Sequence, residues 1–172
     1  MNNYNNFVSS ILNIKNEDKK QKITKIVQQE KKKLLEKVES VEGFCKYLAA
    51  QIEYNLKQID PSIIVHYLDL KEIIGKIDHV ALVVEYYYNG QNRLLLIDPT
   101  FYQFTEQQNK RLIELKAWPS SKMAQSLVSE LLNTGVIDLD EEVFNDYLNS
   151  FLQERTFFSL NDYLNQNNYK LY

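Results

Sequence analysis

A single cysteine, Cys45, stands among 172 residues, which leaves no partner for an internal disulfide and no thiolate cluster for zinc. A free thiol of this kind suits a reducing compartment. Four glycines and three prolines provide little material for flexible linkers, and no internal repeat is visible. Two histidines fall short of a usual zinc shell, so neither a metal nor another cofactor is expected. No run approaches the roughly 18 apolar residues of a membrane span. The start Met1-Asn2-Asn3-Tyr4-Asn5-Asn6 lacks a basic region followed by an apolar stretch. The expectation is a cytoplasmic protein, or one delivered into a target-cell cytosol without a cleavable signal peptide. Basic charge is not in surplus either: 20 Lys and Arg against 23 Asp and Glu leave a formal charge of −3, which gives no electrostatic reason to expect nucleic acid as a partner.

What is present is a 44% hydrophobic chain, enough for one domain with a real core over residues 1–172. The patterning predicts an N-terminal helical region (1–42), a core (43–105) and C-terminal helices (119–165). From Glu17 to Ser40, Ile23, Ile26, Val27, Leu34 and Val38 recur at three and four spacings, one face of a helix. The Lys31-Lys32-Lys33 run is interleaved with Glu30, Glu36 and Glu39, and reads as a solvated face rather than a binding patch. A second helix is expected from near Gly43 to about Gln58, with Phe44, Leu48, Ile52 and Leu56 on one side and Cys45 in its first turn.

Asp60-Pro61 stops that helix, and strands are expected at Ile63 to Leu68, Ile77 to Tyr88 and Arg93 to Asp98. The last two meet through Asn89-Gly90, the strongest short hairpin signal because both positions accept positive φ. Past Pro119 the helical pattern returns with Met123, Leu127 and Leu131, then Val143, Tyr147 and Phe151, and Asn165 to Asn168 is expected to fray. The fold class is α+β, with helices packed on a small antiparallel sheet.

The hairpin decides whether two reactive residues can meet. With a two-residue loop Tyr88 faces Gln91, His79 falls opposite Thr100, and Asp98 lies two residues back on the facing strand. Such diagonal neighbours are about 7–8 Å apart at Cα, within reach of an imidazole and a carboxylate. A thiol nucleophile needs a depressed pKa, a base, and a group that fixes the base's tautomer. Cys45 at a helix N-terminus, His79 and Asp98 supply these three roles. Taken singly, a lone cysteine is more often buried filler, a strand histidine is more often structural, and Asp-Pro-Thr often only ends a strand. Their conjunction is what carries weight.

Other residues have plainer readings. His66 is a second candidate base, although strand alternation equally makes it an exposed or satisfied residue, and His66 with Asp69 is too little for a metal site. Tyr86-Tyr87-Tyr88 reads as strand packing rather than a stacking platform. Trp118-Pro119 reads as a pin for the loop before the next helix. Gln103 and Phe104 read as closing the turn after Asp98.

Gly43-Phe44-Cys45, then Asp78-His79-Val80-Ala81-Leu82-Val83-Val84, then Ile97-Asp98-Pro99-Thr100-Phe101-Tyr102-Gln103-Phe104 together resemble the papain-fold toxin family over roughly residues 40 to 105. The likeness is greatest to the glutamine deamidase domain of dermonecrotic toxins of the Pasteurella multocida toxin type. The resemblance implies a papain-like, transglutaminase-like cysteine hydrolase fold, with nucleophile Cys45, base His79 and orienter Asp98. The implied reaction is deamidation of a glutamine side chain presented by a protein or peptide substrate. A cysteine peptidase or transglutaminase-like enzyme with the same triad is the first alternative, and a papain-like binding module with a dead site the second. Papain-type proteases place a glutamine oxyanion donor six residues before the cysteine, where this chain has Glu39. That leaves the Cys45 backbone N–H as a first donor, with Ser40 or a remote Asn or Gln as a second.

Overall fold

A computed structural model describes residues 19–74, 78–101, 129–149, 151 and 159–166. The expectations that rest on Gln103, Phe104, Trp118, Pro119, Met123 and Leu127 lie outside these residues. Helix α1 (Lys19–Leu35) buries Ile23, Ile26, Val27 and Leu34 of the stripe that the spacing predicts, and also Glu30, which was expected on the solvated face and whose carboxylate accepts from Lys33 Nζ. It ends before Ser40: the Leu34 carbonyl accepts from both Lys37 and Val38 N–H (2.9 and 3.1 Å), and this tightened turn brings Val41 into the core. Helix α2 (Cys45–Ile59) buries Cys45, Leu48, Ala49, Ile52 and Leu56, and stops at an extended Asp60 just before Pro61.

Strand β1 (Ile64–Asp69) leads into a short helix α3 (Leu70–Ile74) that the sequence pattern did not announce. Strands β2 (Val80–Tyr88) and β3 (Gln91–Ile97) form the hairpin in the expected register, with Tyr88 opposite Gln91 and Leu82 opposite Ile97. Its tip holds Asn89 at φ 47° and Gly90 at φ 79°, the conformation for which Asn-Gly is suited. Strand β4 (Val136–Asp138) completes a four-stranded antiparallel sheet in the order β1-β2-β3-β4. This strand was not expected. Its signal is Gly135, which at φ 73° ends the helical segment 129–134 through a hydrogen bond from its N–H to the Leu131 carbonyl (2.8 Å), just before a β-branched pair.

Helix α4 (Glu141–Asn149) opens on Asp140, whose carboxylate accepts the Val143 N–H at 2.9 Å, and α5 (Leu160–Gln166) closes the described chain. Asn165 and Gln166 belong to the last turn of α5, while Asn167 and Asn168, the rest of the segment expected to fray, lie outside the described residues; Phe151 sits in a turn beyond α4 rather than on it.

Both faces of the sheet are covered. Val80, Leu82, Val84 and Tyr86 join Leu95, Ile97 and Val136 against α1 and α2, while Ala81, Val83, Leu96 and Ile137 pack against Phe144, Tyr147, Leu148 and Tyr163 of α4 and α5. The continuous apolar run Val80 to Val84 is the sequence signature of that two-sided burial.

Candidate active site

The ladder pairs end at Asp69 with Val80 on one side of β2 and at Leu82 with Ile97 on the other, so His79 and Asp98 lie just past the paired part of the sheet. The expectation had His79 within a strand; it precedes β2, although its carbonyl still accepts the Leu70 N–H at 3.0 Å. This position keeps the parity of the strand, which directs both side chains to the α4 and α5 side. There the sheet no longer closes off the other edge of the imidazole, and the N-terminus of α2 can approach from across the sheet.

His79 Nε2 meets Asp98 Oδ2 at 2.8 Å, with both side chains fully buried. The other end of the ring shares a hydrogen bond with the Cys45 thiol. With Nε2 engaged by Asp98, Nδ1 is the nitrogen left for sulfur. Cys45 is the first residue of α2, preceded by Gly43 at φ 78° and by Phe44, whose side chain makes no cap hydrogen bond. As first helical residue its N–H has no intrahelical acceptor. The structure thus brings Cys45, His79 and Asp98 into one contiguous chain of hydrogen bonds.

Their electrostatics are mutually reinforcing. Burial works to raise the Cys45 pKa, but the His79 hydrogen bond, the backbone N–H groups of Val80 and Lys46, and the imidazolium charge bring it below the ordinary thiol value. Burial likewise works to lower the His79 pKa, and the charge and hydrogen bond of Asp98, helped by Cys45, raise it to about 9. Together the two shifts move the site toward a thiolate–imidazolium pair.

Two partners of Asp98 were missed by sequence reasoning. Thr100 donates from both its N–H (3.2 Å) and its hydroxyl (3.1 Å) to Oδ1, a local turn that Asp-Pro-Thr makes readable afterwards. Tyr147, 49 residues away on α4, donates its hydroxyl to Oδ2 at 2.6 Å, a contact that no local pattern signals. Phe151 packs against the His79 ring with centroids 5.8 Å apart, and Phe101 and Tyr147 complete the aromatic wall.

The other candidates go elsewhere. His66 Nε2 binds Glu85 Oε1 at 2.5 Å across β1 and β2, and the Asp69 carboxylate accepts the Lys71 N–H at 2.9 Å. Among the described residues no group of three or more His, Cys, Asp or Glu side chains is arranged to hold a metal ion. Glu39 and Ser40 are exposed, and the Ser40 hydroxyl accepts the Glu42 N–H at 3.1 Å. Tyr86 is buried, Tyr88 carries Arg93 Cζ at 5.4 Å over its ring, and Tyr87 is exposed. Among the described residues no helix is long and apolar enough to cross a membrane.

No protein-family model, no curated protein and no solved structure matches the chain. The site has to be read from its own geometry.

Proposed function

We propose that the chain is a thiol-dependent acyl-transfer enzyme with a papain-like, transglutaminase-like arrangement, and that it deamidates a glutamine side chain of a protein. The observation that carries this reading is the buried His79 ring held between the Cys45 thiol and the Asp98 carboxylate. In the reaction, Cys45 Sγ attacks the amide carbon and His79 gives its proton to the departing nitrogen, which leaves as ammonia. His79 then takes a proton from water, whose oxygen attacks the thioester carbon; the C–S bond breaks, and glutamate and the Cys45 thiolate are released. Asp98 keeps the ring oriented and balances its charge through both steps. The N–H of Cys45, at the positive end of α2, faces the oxygen of the tetrahedral intermediate.

Glutamine is favoured over a main-chain peptide bond by access. Cys45 is only 6% exposed, which favours an amide carried on a slender arm such as a glutamine side chain over a main-chain amide. The test is to expose a cell lysate to the wild-type protein and to Cys45→Ala and to map modified peptides by mass spectrometry. Conversion of particular glutamines to glutamates, present only with the intact thiol, is expected. Cleaved chains or cross-links in their place would move the assignment to a peptidase or a transglutaminase, and no Cys45-dependent product at all would favour a binding module.

A further inference from the structure

Asp98 is the acidic member of the site, and its two oxygens each take two donors but from different partners. Oδ1 takes two donors from Thr100, its neighbour in the same turn. Oδ2 takes the His79 ring at 2.8 Å and, in addition, the Tyr147 hydroxyl at 2.6 Å. Tyr147 is 5% exposed and packed between Phe101 and Phe151, so no solvent competes for that bond. A tyrosine whose only task was to fill the core would be a phenylalanine at less desolvation cost. Here the hydroxyl ends on the one carboxylate oxygen that also holds the base.

We infer that Tyr147 is a positioning residue for the proposed reaction: by sharing Asp98 Oδ2 with His79 it fixes the carboxylate in the plane of the ring and moderates the pull of that carboxylate on the ring proton. The inference rests on His79 acting as the acid and base of the site. A bare buried carboxylate would hold the imidazolium too tightly to release its proton to a leaving group at neutral pH, where a proton donor works best with a pKa near ambient. A second donor on Oδ2 spreads the charge and weakens that hold. Tyr147 itself keeps its proton, because burial and the adjacent Asp98 charge hold its phenol well above the ordinary value.

The groups that face the pair from each packed element are few among the described residues. Cys45 lies at the start of α2, Asp78 is the neighbour of His79 along the chain, Lys31 of α1 is felt by Asp98, and Tyr163 of α5 is felt by Tyr147. None of these is changed by Tyr147→Phe, which keeps the ring and removes one hydroxyl.

The test follows the His79 ring by nuclear magnetic resonance as a function of pH, in wild type and in Tyr147→Phe; His66→Gln in both backgrounds removes the other histidine signal. Loss of the hydroxyl is expected to raise the His79 midpoint by about one pH unit. Thr100→Val, which removes a hydroxyl from Oδ1 but leaves the Thr100-position N–H, is expected to raise it less. An unmoved or lowered midpoint in a folded Tyr147→Phe protein would reduce Tyr147 to packing and overturn the inference. A Thr100→Val shift as large as that of Tyr147→Phe would also overturn it, because the effect would then not be specific to the oxygen that holds the ring. No substrate enters this measurement, so failure to find deamidation would sink the proposed function and leave the midpoint result standing.

Discussion

Among the described residues two histidine–carboxylate pairs both join residues nineteen apart: His66 with Glu85 and His79 with Asp98. Each spacing is what an antiparallel connection produces when it returns a strand beside itself, so a short N···O distance alone says little about chemistry. The pairs differ in where they sit. His66 is opposite Val83 inside the β1–β2 ladder, and its pair is 14% and 27% exposed. His79 and Asp98 sit beyond the last ladder pairs, are wholly buried, and leave one ring nitrogen facing a helix N-terminus that carries the only thiol. A mid-strand histidine has its neighbours dictated by the sheet, whereas one just past the sheet's end can be shared by a third element.

The largest effect should come from testing that asymmetry directly. Iodoacetamide is expected to modify Cys45 in the folded protein at about pH 6 faster than in the denatured chain, because its lowered pKa enlarges the thiolate fraction. His79→Ala should slow this modification by roughly 10- to 100-fold, and Asp98→Ala by less, with the gain limited by the lower intrinsic nucleophilicity of a low-pKa thiol. His66→Ala should change it by about twofold at most. Equal slowing by the two histidine variants would transfer the role of base to His66. An inert folded thiol would make Cys45 core packing.

A second break in the comparison is Gly135→Ala. Gly135 has φ 73°, and an added Cβ would come within 3.1 Å of Pro99 Cα and of Val27 Cγ1, where little can give way. The Gly135 carbonyl also accepts the Asp98 N–H at 2.9 Å, so displacement here reaches the site pair. A loss of about 1–3 kcal/mol in urea unfolding is expected. The ring signals of His79 should move and those of His66 should stay, and the reverse pattern would contradict the placement of Asp98.

The pH dependence sharpens the comparison further. The folded pKa of His79 is raised to about 9, so its contribution to stability is complete below the unfolded value of about 6.5 and is lost as pH rises through about 9. Cys45 has the opposite sign: its lowered pKa contributes above the unfolded thiol value and is lost as pH falls through the folded one. The difference in urea midpoint between wild type and His79→Gln should therefore shrink as pH is raised through about 9. A difference that is constant across that range would mean that the ring is not held as a cation.

Much of this arrangement was legible because it depends on local rules. Asn89-Gly90 set the hairpin register and with it the parity that joins His79 to Asp98. Gly43-Phe44-Cys45 and the apolar spacing after it set the start of α2. What escaped depends on tertiary contact. Strand β4 is only three residues long, too short for alternation to register. Tyr147 looked like one more apolar position of a helix stripe, and only packing shows that its hydroxyl ends on Asp98. The covering of both sheet faces was written in Val80 to Val84, yet which helices cover which face follows from topology.

The smallest effect concerns the surface of the same site. Lys46 Nζ and Asp78 Oδ1 are 3.0 Å apart, an ion pair that links the residue after Cys45 to the residue before His79. By position it looks like a clasp that holds the helix start against the base. Its side chains are 64% and 61% exposed, however, so solvent and salt screen it and two mobile side chains lose entropy in forming it. The buried His79–Asp98 bond and the backbone N–H groups of Val80 and Lys46 remain when the pair is broken. Lys46→Met or Asp78→Asn should therefore alter the rate of Cys45 alkylation by about twofold at most, with the difference fading as salt screens the charges. A change as large as that of His79→Ala, persisting in high salt, would show that the surface pair rather than the buried one holds the thiol in place.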